Sequence, residues 1–186
     1  TLIFGVMGIL NVAHGAFYAF GGYAAASFIV MIAPSTESAW IPLVSLFLVA
    51  LVVGTILGGL MEILLIRRAH AYDPILKLLI TFGALLMLED IQRLIWGVQP
   101  YSASEVVNRL GNIELGDITY TAYQFVVVPV TALVAYIGLE IFLRHTNLGK
   151  QMVAVTHNRE VAISQGINAG KIGLITFVIG AVLGVL

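Results

Sequence analysis

The sequence predicts an all-α polytopic membrane protein, a bundle of transmembrane helices. Three observations carry this. Mean hydropathy is +1.01, and only 10% of the 186 residues are charged. A soluble domain carries roughly 25% charged residues to solvate its surface, so this chain cannot face water on all sides. Several apolar runs reach about 20 residues, the length that crosses a hydrocarbon core of about 30 Å. These runs are continuous, which argues against the alternating pattern of a membrane β-barrel. A formal net charge of −1 gives no electrostatic footprint for nucleic acid. With no cysteine, no disulfide framework and no thiol metal site are expected.

The elements follow in chain order, within one transmembrane domain over 1–186. The first apolar stretch, 1–33, is too long for one ordinary span. It is interrupted by "NVAHG" (11–15) and rich in Gly and Ala, so a broken span is expected. A second span covers about 40–66 and ends at Arg67 and Arg68. Pro34 and Pro42 punctuate the connection before it. A third covers about 75–96, after Asp73 and Pro74, because the residue before proline resists helix. A fourth covers about 120–143 and ends at Arg144 and His145. A fifth begins near Ile172. Its 15 residues rise about 22 Å, short of a full crossing, so an incomplete span is expected. The chain also starts inside an apolar run without a basic leader. Both ends suggest a fragment of a longer protein.

Charge sets the expected orientation. Arg67, Arg68 and Lys77 lie in or beside one connection. Arg144, Lys150, Arg159 and Lys171 lie in another. The loop 97–119 holds Arg109 against Glu105, Glu114 and Asp117. Excess Lys and Arg stay on the cytoplasmic side, which places 67–74 and 144–171 inside and 97–119 outside. Trp40, Trp96, Tyr101, Tyr120 and Tyr123 gather at the expected outer ends, as an interfacial aromatic belt does. In the outer loop, Gly111-Asn112 and Gly116-Asp117 suggest turns and a small hairpin.

The cytoplasmic segment 144–171 is longer than a turn needs. Within it, "NREVAISQG" has the chemistry of a short helix. Asn158 can cap it, and Glu160 lies in the first turn, where the helix dipole favours an anion. Gly166 can end it in a left-handed conformation. Val161, Ala162 and Gln165 would share a face. The plainer alternative is a connector that packs on its own bundle.

Polar residues inside apolar spans are functional candidates by default. Asn11, His14 and Gly15 interrupt the first stretch and could expose backbone to a translocation path, or could hold helices together. Thr81 and Gly83 lie mid-span and could line a path or permit close packing. Glu89, Asp90 and Arg93 pair at helical spacing. They either neutralise one another locally or flank an outer mouth. Glu62 is expected to snorkel to the interface beside Arg67 and Arg68. Gly54, Gly58 and Gly59 suggest a small-residue helix contact.

Finally, "EVAISQG" (160–166) resembles the E-A-A-x-x-x-G cytoplasmic motif of ABC-importer permeases. Glu160, Ala162 and Gly166 match it, while Val161 replaces the first Ala. "TLIFGVMGILNVAHGAFYAFGGY" (1–23), "EILLIRRAH" (62–70), "LEDIQRLIWG" (88–97) and "TNLGKQMVAVTHNREVAISQGIN" (146–168) follow in order. Together they resemble the permease of the branched-chain (hydrophobic) amino acid and amide uptake family, over nearly the whole chain. The wider motif continues to Ile-x-Leu-Pro, where this chain has Thr176, Phe177, Val178 and Ile179.

The resemblance implies a multi-pass subunit of a bacterial or archaeal cytoplasmic membrane, set in lipid. Its partners would be a homologous second permease, two ATPase subunits and an extracytoplasmic binding protein. Arg159, Glu160, Val161, Ala162 and Gly166 would couple it to the ATPase. No P-loop is present, so no catalytic residue and no cofactor are expected in this chain. ATP and Mg would belong to the partner ATPase. Urea or a short amide is the alternative cargo. An ion-coupled secondary carrier and a structural anchor subunit are the rival classes.

Overall fold

The computed structural model describes residues 10–32, 40–69, 72–98, 111–115 and 118–186. The N-terminal part of the first apolar stretch and most of the outer loop lie outside the described residues. So do Pro34, Tyr101, Glu105, Arg109 and Asp117.

Helix α1 spans His14–Ile32 and α2 spans Trp40–Met61. Both are apolar on every side, the mark of a helix surrounded by protein or lipid. α2 continues through a π-helical turn at Glu62–Ile66 and a last short piece, Arg67–Ala69. α3, Pro74–Trp96, starts with proline at its first position, where a missing N–H costs nothing. Gly97, at φ 79°, ends it. Strands β1 (Asn112–Leu115) and β2 (Ile118–Thr121) form an antiparallel hairpin, with Asn112 opposite Thr121. A second π-helical turn, Tyr123–Val127, leads into α4, Val128–His145. Pro129 follows this turn and has no N–H to offer the carbonyl four residues back, so a widened turn suits the site. Then come α5 (Asn147–His157), α6 (Arg159–Ser164) and α7 (Ala169–Val185).

α7 is the centre of the packing, against α2 above all and also against α1. The glycines of α2 explain the closeness. A methyl group at Gly54 would lie 2.9 Å from Val182 N, and one at Gly58 would lie 3.1 Å from Val178 Cα. Both are too close, so only glycine admits α7 here. A methyl at Gly59 would meet nothing within 4 Å, so Gly59 lies off this seam. The pairings of 54 with 182 and 58 with 178 run α2 and α7 antiparallel. Phe17, Ala50, Met61, Ile66, Phe177 and Ala181 fill the core beside the seam.

α1 and α3 run parallel. Leu10 and Val12 bond to Thr81 at one end. At the other, Trp96 Nε1 donates to Ser27 Oγ at 2.6 Å, while its ring meets Phe20 and Tyr23. α4 contrasts with this core, because it has no buried residue. Among the described residues, three helices are long and apolar enough to cross a membrane: His14–Ile32, Val44–Ala69 and Tyr123–His145. The fold is thus a multi-pass helical bundle.

Candidate functional site

The segment between α4 and α7 is built from three successive caps. Thr146 closes α4 by donating its hydroxyl to Phe142 O at 2.7 Å. Thr146 Oγ1 in turn accepts the Gly149 N–H at 2.9 Å and opens α5. Gly149 lets α5 fold back so tightly because a side chain there would strike the α4 backbone at Phe142 and Leu143. Asn158 breaks the next helix with extended backbone and accepts Val161 N at 3.1 Å, starting α6. Asn168 accepts Lys171 N at 3.0 Å and starts α7.

The end of α6 is equally defined. Gly166 has φ +84°. Its N–H reaches Ile163 O at 2.9 Å, while Ile167 N–H reaches Ala162 O at 3.1 Å. These are the paired bonds of a Schellman termination, which needs a left-handed residue at that point. Ile167 packs on the cluster that holds Ala162, the apolar contact that accompanies this motif. Every bend of the 146–168 segment is therefore fixed by a side chain or a glycine.

Ala162 is turned inward. It is 3% exposed and packs with Met152, Val155, Ala169 and Ile172. The close approach it permits is that of α6 to its own α5 and α7. Arg159, Glu160, Val161 and Gly166 are exposed, as are Ile163 and Ser164. Val161 and Ala162 accordingly do not share a face. The segment is a short rigid helix with one anchored side and a free remainder.

The interruption at 11–15 is a second constructed feature. Leu10 to Ala13 are not helical, and α1 starts at His14. Asn11 Oδ1 accepts Ala13 N at 3.1 Å. Thr81 Oγ1 accepts Val12 N at 3.4 Å, and its proton lies within reach of Leu10 O at 3.2 Å and Leu78 O at 3.0 Å. Irregular backbone at membrane depth is tolerated where protein or a water-filled cavity satisfies it, and here the Thr81 hydroxyl does so. Asn11 Nδ2 is buried without a hydrogen-bond partner among the described residues. His14 stacks edge-on against Phe17 at 6.2 Å, and its ring occupies the space a side chain at Gly184 would need. Asn11 and Thr81 thus meet at one locus. Gly15 and Gly83 do not join it: each is exposed with nothing near its absent Cβ. Gly83 lies two residues, about 200°, round α3 from Thr81.

Glu89, Asp90 and Arg93 form the local network their spacing suggested. Arg93 Nη2 lies 3.8 Å from Glu89 Oε2, and Nη1 lies 3.6 Å from Asp90 Oδ1. Arg93 and Asp90 are largely exposed and Glu89 is half-buried, one to two turns from Trp96. A cavity of about 660 Å³ lies between α1, α2 and α4. Tyr18, Tyr23, Phe47 and Tyr123 line it with aliphatic and small residues, and no charged side chain among the described residues does.

Glu62 corrects an expectation. It does not snorkel outward but is 1% exposed, because it continues the i, i+4 row of buried Gly54 and Gly58 along α2. Arg67 reaches it at 3.3 Å. The bond from Trp96 to Ser27 has no sequence signal beyond residue type.

Apolar helices of spanning length, joined by connectors capped at each bend, define an integral membrane protein of the multi-pass helical class. The chain belongs to the family described as branched-chain amino acid transport system / permease component, whose family model matches residues 1–186. It is similar to the high-affinity branched-chain amino acid transport system permease protein LivH of Escherichia coli (strain K12). The two are 27% identical over 98% of this chain and 60% of that protein. LivH of Salmonella typhimurium is 26% identical over the same shares. BraD of Pseudomonas aeruginosa, described in the same terms, is 26% identical over 98% of this chain and 61% of its own. The chain spans about 60% of the length of the curated relatives it matches. No solved structure matches it.

Proposed function

We propose that this chain is the transmembrane permease part of an ATP-driven importer for branched-chain amino acids in a bacterial or archaeal inner membrane. The segment 159–166 is where a cytoplasmic ATPase engages it. The observation that carries this reading is the form of α6. It is a short helix fixed at both ends and anchored through Ala162, with Arg159, Glu160 and Val161 left free. A rigid body seated in a partner's cleft transmits displacement, whereas a floppy loop absorbs it. ATP and Mg belong to the two ATPase subunits. A second, homologous permease and an extracytoplasmic binding protein complete the assembly. Asn11, His14, Gly15, Thr81 and Gly83 are candidates for the translocation path, and Glu89, Asp90 and Arg93 for the outer mouth.

Single cysteines test the engagement against a background free of native cysteine. Glu160→Cys and Ile163→Cys are expected to cross-link to the copurifying ATPase, while the buried Ala162→Cys is not. Gly166→Pro is expected to leave membrane insertion intact and to cut uptake at least about tenfold per ATP hydrolysed, because proline fixes φ near −65°. Uptake by the chain alone in liposomes, driven by an ion gradient without ATP, would refute the proposal. Uptake of leucine that an excess of urea or acetamide abolishes would reassign the cargo.

A further inference from the structure

Glu62 and Arg67 are five residues apart. In an α-helix, at 100° per residue, five steps set two side chains about 140° apart, where they do not meet. In α2, however, the Arg67 N–H bonds to Glu62 O, the five-residue bond of a π-helical turn. That widened turn brings the guanidinium to 3.3 Å from Glu62 Oε2. The pair therefore meets across the widened turn. The carboxylate is 1% exposed and the arginine side chain 52%, so an inner charge is neutralised by a partner reaching in from outside. Glu62 Oε2 makes no hydrogen bond, which leaves charge attraction to hold the contact.

We propose that the Glu62–Arg67 pair is a latch that holds the end of α2 in π-helical register. Opening it returns the turn to α-helix, rotates Arg67–Ala69 by about 100° and moves that piece about 1.5 Å along the axis. Turns of this kind recur at functional sites within helices. α7 supplies a route to it, because α7 packs on the π-helical turn and on both α5 and α6. Ala169 and Ile172 sit in the cluster with Met152 and Ala162. Phe177 and Ala181, further along the same helix, sit in the cluster with Met61 and Ile66. A displacement of 146–168 reaches the latch through one rigid helix. That use of the latch rests on the transport reading, whereas the latch itself does not.

The test places spin labels at Arg68→Cys and Lys171→Cys in the full chain in membrane vesicles and measures the distance between them. With Glu62 and Arg67 intact, one distance population is expected. Glu62→Gln and Arg67→Ala are each expected to add a second. Its displacement should be about 3.5 Å, the chord of a 100° turn on a helix of about 2.3 Å radius. Arg67→Lys, which keeps the charge, is expected to retain the single population. One unchanged population in Arg67→Ala overturns the latch, whatever Glu62→Gln shows. Because Arg67 is half exposed, its variants keep the test decisive should Glu62→Gln fail to fold. No uptake is measured, so a failure of the transport reading leaves the result unaffected.

Discussion

A single hydroxyl holds the start of α1 to α3. Thr81 is 0% exposed, and its Oγ1 serves the Val12 amide and the Leu10 carbonyl, 69 and 71 residues away in sequence. Thr81→Val keeps the shape and removes the oxygen. It leaves two backbone groups unpaired at a site without bulk water, at about 1–3 kcal/mol. The expected outcome is a lower thermal unfolding midpoint in detergent with membrane insertion retained. The glycines of α2 give a matched pair of predictions. Gly54→Ala drives a methyl into the Val182 backbone and should destabilise by about 1–3 kcal/mol. Gly59→Ala meets open space and should be neutral, or stabilising by up to about 1 kcal/mol through helix propensity. Equal effects at the two positions would contradict the seam described for α7. Sequence marked Gly54 and Gly58 as a contact face but could not separate Gly59, because only the partner helix distinguishes them. It marked Thr81 as a small mid-span residue for the same reason: its partners are remote.

At the scale of elements, the segment 146–168 shows which signals are local and which are not. An N-cap asparagine and a glycine at positive φ act on their own backbone. Asn158 and Gly166 could therefore be named from sequence, and the structure shows each in that role. The inward turn of Ala162 depends on α5 and α7 packing beneath it, and helical spacing alone grouped it wrongly with Val161. The π-helical turn at Glu62–Ile66 is equally invisible, since no proline or glycine within it announces it. Two variants weigh the caps. Asn158→Ala loses the bond to Val161 N and should cost about 0.5–2 kcal/mol. Gly166→Ala forces a side chain into left-handed backbone, at about 1–2 kcal/mol. Neither contact belongs to the apolar core, so the loss is expected to be local. Hydrogen exchange of the amides at 161–167 should quicken in both variants, while that of the α2–α7 seam stays unchanged. Quickening throughout the bundle would mean that α6 is a structural strut.

For the whole molecule, fold class was the most legible property, because it follows from composition. With 60% hydrophobic and 10% charged residues, the chain has nowhere to stand but in lipid. Sidedness is a stronger claim and has its own geometry. α3 has 23 residues and rises about 34 Å, as long as a hydrocarbon core is thick. Its Pro74 and Trp96 ends therefore lie at opposite ends of the bundle. α1 runs parallel to it through the contacts at Thr81 and Trp96, and α2 returns to Arg67 and Arg68 beside the start of α3. The hairpin β1–β2 follows the Trp96 end. α4 then leads back to Arg144, Lys150 and Arg159, so the clustered cations all gather at the end opposite the hairpin. Excess positive charge stays in the cytoplasm, and on that rule we propose that α6 lies inside and the hairpin outside. A membrane-impermeant maleimide should thus label Thr119→Cys in intact cells, and Ser164→Cys only after permeabilisation, since both positions are exposed. Labelling of Ser164→Cys in intact cells would set α6 where no cytoplasmic ATPase reaches it. The coupling proposal would then fail, while the helix packing, caps and glycine seam would stand, because none of them depends on which side of the membrane α6 faces.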